Sequence, residues 1–550
     1  MTPSEWYKQT ENEYINKRYI MFGLGGGEYV SEVLNNCKTE VKIIVYEPAA
    51  SGVGQSDADY AGLKGLSSAG VEIYVEGREQ DSFQNFIYQF VDYSSLQGMI
   101  VFKHPDYKRS EEQNDGISVQ LKQSEQLFDQ SIVAADGGIR ASRFVRERFG
   151  AESFENLAVN FKKLGSSKSF GSLIDKIDKD VPAIIVASGP SLAKNMHLLK
   201  EAKGKSVIIS ADSAVSALLA NDIVPDLYIS VDPHKEAKSF EDDRVKDIPS
   251  VVELTSSVNA IKEGQEHFFL FNRDNKYLEN FIDEYNVDMH MIGSGGSVAN
   301  MCFDTAITIG FRTVIFIGLD LAYTGNKTHV ENTARYGMAI EESTVEYTTD
   351  IYGNQVKSSG EFAIYRGLIE EGIAANPDMC VIDATEGGAL VRSTKIMTFA
   401  EAISKYCTKD FSIANAIAEA DSLFTDEQKI ALDKYIDDIP VKIRELSSDL
   451  RKSLSNYDEM YLMAKRRNLN KGRLSKILSD NDRLSNRINS SLILPYIEYL
   501  SQDAIHEVQE NAYKHNNDVY EEILEAAAIG KTYAEGMLNG TKKALEILEG

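Results

Sequence analysis

Between Val181 and Ile382 the chain alternates short apolar runs with helix-like stretches, and this alternation restricts the fold more than any other feature. The runs "SVIISAD", "DLYISVD", "VDMHMIG", "RTVIFIG" and "MCVIDA" are the most strand-like pieces, and near-continuous apolar character suits strands buried on both faces. In "VPAIIVASGPSLAKN" a further such run, Ala183–Ala187, is broken by Gly189-Pro190-Ser191 before a helix-like segment. Alternation of this kind specifies a parallel sheet with helices on both faces, in which ligands bind beyond the carboxyl ends of the strands. Residues 151–410 are therefore expected to form a central Rossmann-like α/β domain that carries the chemistry.

Two other regions flank it. The segment "YIMFGLGGGEYVSEVLNNCKTEVKIIVYEPAA" reads strand, glycine loop, helix, strand and then Glu47. This is the layout of a dinucleotide or S-adenosylmethionine half-domain, where glycines let the backbone approach the ligand and an acid receives the ribose. Gly23, Gly25 and Gly27 are present, but Glu28 stands at the third position of a strict GxGxxG, where its charge would repel a pyrophosphate. Residues 1–150 are expected to be a structural Rossmann-like domain; a methyltransferase site depending on Gly25 and Glu47 is the alternative. After about Asp410, glycine and strand signals fade and apolar residues recur at helical spacing, so 411–550 reads as an all-α domain for packing or oligomerisation.

A chain of 550 residues is too long for one core. Its formal charge of −26 argues against a nucleic-acid partner, which would require clustered Lys and Arg. Cys37, Cys302, Cys380 and Cys407 lie far apart without a CxxC, which signals neither a zinc site nor a disulfide framework. The opening "MTPSEWYKQTENEY" has no basic region followed by an apolar one, and no run of eighteen apolar residues occurs. The expectation is a cytoplasmic protein that spans no membrane.

Four short segments recur just after strands: Ser188-Gly189-Pro190-Ser191, Asp212-Ser213, Gly293-Ser294-Gly295-Gly296-Ser297 and Gly318-Leu319-Asp320. Free amides at helix starts attract anions, and glycines leave room for a phosphate. No GxxxxGK[ST] occurs, so serines and amides point to a nucleoside monophosphate or sugar nucleotide rather than a triphosphate. Each loop taken singly is equally an ordinary strand-to-helix turn.

The set "ASGPSL", "ADSAVSALLANDIVPDLYISVDPH", "GSGGSVANMCFDTAITIGFRTVIFIGLDLAYTGNKTH" and "DATEGGAL" resembles the motility-associated factor (Maf) flagellin glycosyltransferases. Their central domain is shared with archaeal 6-hydroxymethylpterin diphosphokinases and is similar to bacterial sialyltransferases that use CMP-sialic acid. The resemblance implies transfer of a nonulosonic acid, pseudaminic or legionaminic, from its CMP form to Ser or Thr hydroxyls of flagellin, without a required metal. Carried over by position, Ser188, Gly189, Pro190, Ser191, Asp212, Ser213 and Ser294, Gly295, Gly296, Ser297 would border the nucleotide; Ser188 stands where the sialyltransferases carry Asn.

Such a transfer needs a stabilised leaving phosphate and a base near the incoming hydroxyl. Tyr323 is a candidate phenolic donor. His329 in "AYTGNKTH" and His234 in "SVDPH" are candidate bases, with His329 preferred because its loop can close over the donor. Asp232 and Asp320 are read as orienting or hydroxyl-binding groups, although two carboxylates on one edge would also suit magnesium and a diphosphokinase. Thr385 and Glu386 follow another strand, Glu386 capping a helix or contacting the sugar, and Arg273 and Lys276 are candidates for the donor's carboxylate. The helical tail would recognise flagellin or mediate self-association into a homo-oligomer. A diphosphokinase and a non-catalytic flagellin-binding assembly factor are the competing readings.

Overall fold

The computed structural model describes residues 2–10, 17–36, 41–79, 83–88, 99–107, 116–273, 275–290, 292, 296–510 and 518–549. The chain divides into two compact units, Met1–Gly150 with Ile443–Ala544, and Ala151–Lys442 with Leu545–Gly550.

In the first unit, β1 (Lys17–Phe22), β2 (Val41–Glu47), β3 (Val71–Val75) and β4 (Met99–Lys103) form a parallel sheet in the order β3-β2-β1-β4. Because side chains alternate across a strand, Tyr19, Met21, Ile43 and Val45 pack on one face with Trp6, Tyr29 and Val33. Ile20, Phe22, Ile44 and Tyr46 pack on the other with Phe83, Ile87 and Tyr107. The helices Ile439–Lys465, Lys471–Asn489 and Val519–Glu549 meet through Met460, Ile477 and Ala527, the all-α character read from their spacing. Among the described residues no helix is long and apolar enough to cross a membrane.

The second unit is built on an eight-stranded sheet ordered β14-β13-β10-β5-β6-β7-β8-β9. Its strands are β5 (Ala183–Val186), β6 (Val207–Ala211), β7 (Leu227–Ser230), β8 (Ser250–Glu253), β9 (Phe268–Phe271), β10 (Thr313–Ile317), β13 (Cys380–Asp383) and β14 (Lys395–Ile396), and every pairing is parallel. A separate antiparallel pair, β11 (Val345–Thr349) and β12 (Gln355–Ser359), precedes β13 in the chain. Alternate residues of the central strands feed two cores. Ile185, Ile209, Ile229 and Phe316 pack with Met301, Phe303 and Ile369, whereas Ile184, Val186, Ile208 and Ile317 pack with Leu192, Leu218 and Phe399. Both faces are covered, as the uninterrupted apolar runs require.

One expected strand is absent. "VDMHMIG" is not extended into the sheet at its described residues: the Val287 amide turns back to Ile282 O at 2.9 Å as a helix ends, and Met289 N bonds Val287 O at 2.9 Å. The places beside β7 are taken by "SVVE" and "FFLF", β8 and β9. Their four-residue length gave them less sequence signal than the methionine-rich run.

Candidate functional site

The chain lays β5 to β9 outward in one direction and then crosses back to place β10 on the other side of β5. The order therefore reverses between β5 and β10, and loops that leave these strands in opposite directions open a crevice there. The loops at this point are two of the four that the sequence singles out, Ser188–Ser191 after β5 and Gly318–Asp320 after β10.

They are joined more closely than a simple phosphate cradle would be. Gly189 N donates to Gly318 O at 2.9 Å. The Ser191 amide reaches both oxygens of Asp320 at 3.2 and 3.3 Å, and its hydroxyl donates to Oδ2 at 2.6 Å. The donors expected to face a phosphate are thus turned to a carboxylate of the protein itself. Only a single α-turn, Leu192–Asn195, follows, so no long helix aims its amides at this loop. Asp320 is buried; burial raises its carboxyl above the usual range, while Ser191 and Thr324 draw it back.

A second carboxylate, Asp383 at the end of β13, lies in the same electrostatic neighbourhood. Burial pushes it up to about 6, and the Asp320 charge adds to the rise while Thr385 opposes it. Thr385 N donates to Asp383 Oδ1 at 3.0 Å, but Asp383 Oδ2 has no hydrogen-bond partner among the described residues. Gly388 closes the group. Its φ is +79°, and a Cβ there would overlap the Asp320 backbone, so only glycine fits. Glu386 is occupied locally: its carboxylate accepts from Phe399 N at 3.1 Å, at the first turn of the helix Phe399–Tyr406, and from Asn195 Nδ2 at 3.1 Å.

A third group stands over β5, β6 and β7. Ser188 and Ser213 share a hydroxyl hydrogen bond of 2.8 Å. Asp212, fully buried, accepts from Ser230 Oγ at 2.8 Å and pairs with Lys235 Nζ at 2.9 Å. Lys235 also lies 3.6 Å from Asp232, and Arg335 lies 3.6 Å from the same Asp232 oxygen. The loop after β10 crosses above: Val330 N donates to Ser188 O at 2.9 Å, and Ser216 Oγ to Asn332 O at 2.7 Å. This course carries His329 to the group. Burial, then Arg335 and Lys235, push its imidazole down to about 4, and its Nδ1 is sealed from solvent without a partner among the described residues. The ring is neutral at pH 7, able to accept a proton but a weak base in this state.

The remaining sequence-selected residues disperse. His234 is exposed and bonds Glu152 at 2.9 Å. Gly296, at φ +89°, precedes Ser297, whose hydroxyl forms a capping box with Asn300 at the start of Val298–Ile309; Ser294 and Gly295 lie outside the described residues. Tyr323 packs its ring on Phe362 at 5.3 Å. Arg273 follows the edge strand β9, and its charge acts on Asp304. Lys235 and Arg335 are the residues that sequence reading missed. Lys235 adjoins the chosen His234, and "VDPHK" after a strand was the available signal. Among the described residues no group of three or more His, Cys, Asp or Glu is placed to hold a metal ion.

The glycine loop of the first unit is filled from within. A Cβ on Gly23 would strike the Tyr107 ring, and one on Gly25 the His104 ring. Buried Glu47 accepts from Leu24 N at 2.6 Å and from the Tyr107 hydroxyl at 2.5 Å. The acid and loop of a ribose-binding layout are engaged with the protein's own groups.

This doubly wound sheet, with polar groups gathered at the carboxyl ends of its middle strands, defines an open, parallel α/β fold with helices on both faces. Residues 155–326 match the family described as 6-hydroxymethylpterin diphosphokinase MptE-like. The solved structure of a Maf glycosyltransferase from Magnetospirillum magneticum AMB-1 is similar over 97% of this chain and 82% of its own, with a TM-score of 0.53 and 14% identity. The chain thus has the Maf glycosyltransferase fold. An uncharacterized protein of Treponema pallidum (strain Nichols) is 28% identical over 110 residues, 20% of this chain. The chain spans about half the length of that relative, 51%.

Proposed function

We propose that this chain is a glycosyltransferase that moves a nonulosonic acid from its CMP-activated form to Ser or Thr hydroxyls of flagellin. The observation that carries the reading is the likeness to a Maf glycosyltransferase over 97% of the chain, since a small-molecule kinase needs neither the glycine-loop sheet nor the long C-terminal helices. The hydroxyl pair Ser188–Ser213 borders the CMP, and His329 takes the proton of the acceptor hydroxyl as the new glycosidic bond forms and the bond from the sugar to the CMP phosphate breaks. Asp320 and Asp383 orient this edge rather than bind a metal, so transfer is expected to persist in EDTA.

The second reading, pyrophosphate transfer from ATP to a pterin, is favoured by the match over residues 155–326. A thermal-shift panel with CMP, CTP, ATP plus magnesium, and S-adenosylmethionine separates them, because a ligand at a hundred times its dissociation constant adds about 2.7 kcal/mol. Stabilisation selective for cytidine nucleotides is the expected result, followed by transfer to flagellin. A response to ATP with magnesium alone would overturn the proposal in favour of the diphosphokinase, and one to S-adenosylmethionine alone would move the working site to the glycine loop.

A further inference from the structure

We propose that Lys235 and Arg335 form a seat for an oxyanion of the ligand, a carboxylate or a phosphate, in the strand-end group that the His329 loop crosses, and that filling this seat equips the histidine to accept a proton. The inference rests on the reading of this strand-end cluster as the donor site and names what the donor presents there.

Both cations have capacity to spare. An ammonium carries three donors and a guanidinium five, yet among the described residues Lys235 makes one close pair, with Asp212 at 2.9 Å. Its second acid, Asp232, stands at 3.6 Å, and the Arg335 ion pair is with that same Asp232 oxygen at 3.6 Å. Asp232 is thus stretched between two cations at more than hydrogen-bond length. Lys235 is nearly closed off at 9% exposure and Arg335 is open at 53%, so an anion entering from solvent meets the guanidinium first and the lysine at the bottom. A planar fork above a point charge is suited to a carboxylate or phosphate.

The groups around the histidine leave it dependent on that anion. Lys235 comes from the loop after β7 and Arg335 from the histidine's own loop, and both act on the ring as positive charges. Asp212 after β6 and Asp232 after β7 are tied to Lys235. Tyr365, on the helix Gly360–Ala375, feels Arg335 and Asp232 but donates its hydroxyl to Glu361. The buried Nδ1 of His329 has no hydrogen-bond partner among the described residues. An oxyanion on the two cations cancels the field that opposes protonation, and the imidazole gains basicity when the donor is loaded.

Histidine-selective NMR of the full chain tests this. The protein has eight histidines, and His329→Gln identifies the resonance. Titration is run alone and with saturating inorganic phosphate, CMP or N-acetylneuraminate. The expected result is a midpoint near 4 alone, rising with at least one of these anions by about one unit, a tenfold gain in proton affinity. The rise is expected to disappear in Arg335→Gln, to survive in part in Arg335→Lys, and to persist in Lys246→Gln, a substitution at an exposed site. The other histidine resonances report that each variant is folded. A response to N-acetylneuraminate assigns the seat to the sugar carboxylate, and a response to CMP or phosphate assigns it to the leaving group. A midpoint unmoved by all three anions, or moved equally in Arg335→Gln, overturns the proposal. If CMP fails to stabilise the protein while phosphate or N-acetylneuraminate still moves His329 through Arg335, the seat stands and the CMP-donor reading falls.

Discussion

Replacing Asp383 by asparagine is expected to stabilise the second unit at neutral pH. The carboxyl is 1% exposed, Oδ2 has no partner, and burial with the nearby Asp320 charge lifts it from 3.8 to about 6. A carboxyl whose folded value lies above its unfolded value is a liability when ionised. The folded state holds the extra proton between these values, so stability falls as pH rises from about 4 to about 6 and stays reduced above. Two units at about 1.4 kcal/mol each set an upper bound of about 3 kcal/mol on the penalty. Asparagine keeps the acceptor for Thr385 N, bonded at 3.0 Å, and removes the charge, so Asp383→Asn should gain about 1–3 kcal/mol at pH 7.5 and about a third of that at pH 4.5. The single tryptophan, Trp6, belongs to the first unit and is the wrong probe. Urea-dependent hydrogen exchange of the peptide covering Cys380–Asp383, compared between the two proteins at each pH, reads the local stability. A variant that is no more stable at pH 7.5, or equally stabilised at both, would refute the argument.

Gly388→Ala should lower the melting temperature sharply and cost about 3 kcal/mol or more of stability, because strain at φ +79° is joined by overlap with the Asp320 backbone. Gly353→Ala, at φ +88° with open space around it, should cost only the strain, about 1–2 kcal/mol; equal losses in calorimetry would contradict this. Ser191→Ala removes the 2.6 Å hydroxyl bond to buried Asp320 and should cost about 1–3 kcal/mol in urea unfolding at pH 7.5. The loss should shrink at a pH where Asp320 is protonated, as a bond to a charged acceptor becomes a neutral one.

Much of the fold could be read from sequence because β-branched runs such as "AIIV", "VIISA" and "TVIFI" state their burial on both faces without help from tertiary context. The turn residues then placed the motifs at the carboxyl ends of β5, β6 and β10, where the structure has them. The failures have physical causes. "FFLF" and "SVVE" are too short to outweigh a longer methionine-rich run that ends a helix. Ser191 was read as a phosphate donor because sequence shows a donor and not its acceptor, and Asp320 lies 129 residues further on. Lys235 and Arg335 look like ordinary solvated charges, and only the fold brings Lys235 into reach of Asp212 and Arg335 into reach of Asp232.

The filled glycine loop also changes how the first unit should respond to its surroundings. In a nucleotide-binding half-domain the ring and the hydroxyl that complete the loop arrive from solution, and their occupancy follows concentration. Here the Tyr107 ring and hydroxyl and the His104 imidazole come from the loop that follows β4 and close over Gly23, Gly25 and Glu47. Tethered by about 60 residues of the same chain, they act as guests held at a fixed effective concentration. That corner of the molecule carries its own occupant, supplied by the chain itself.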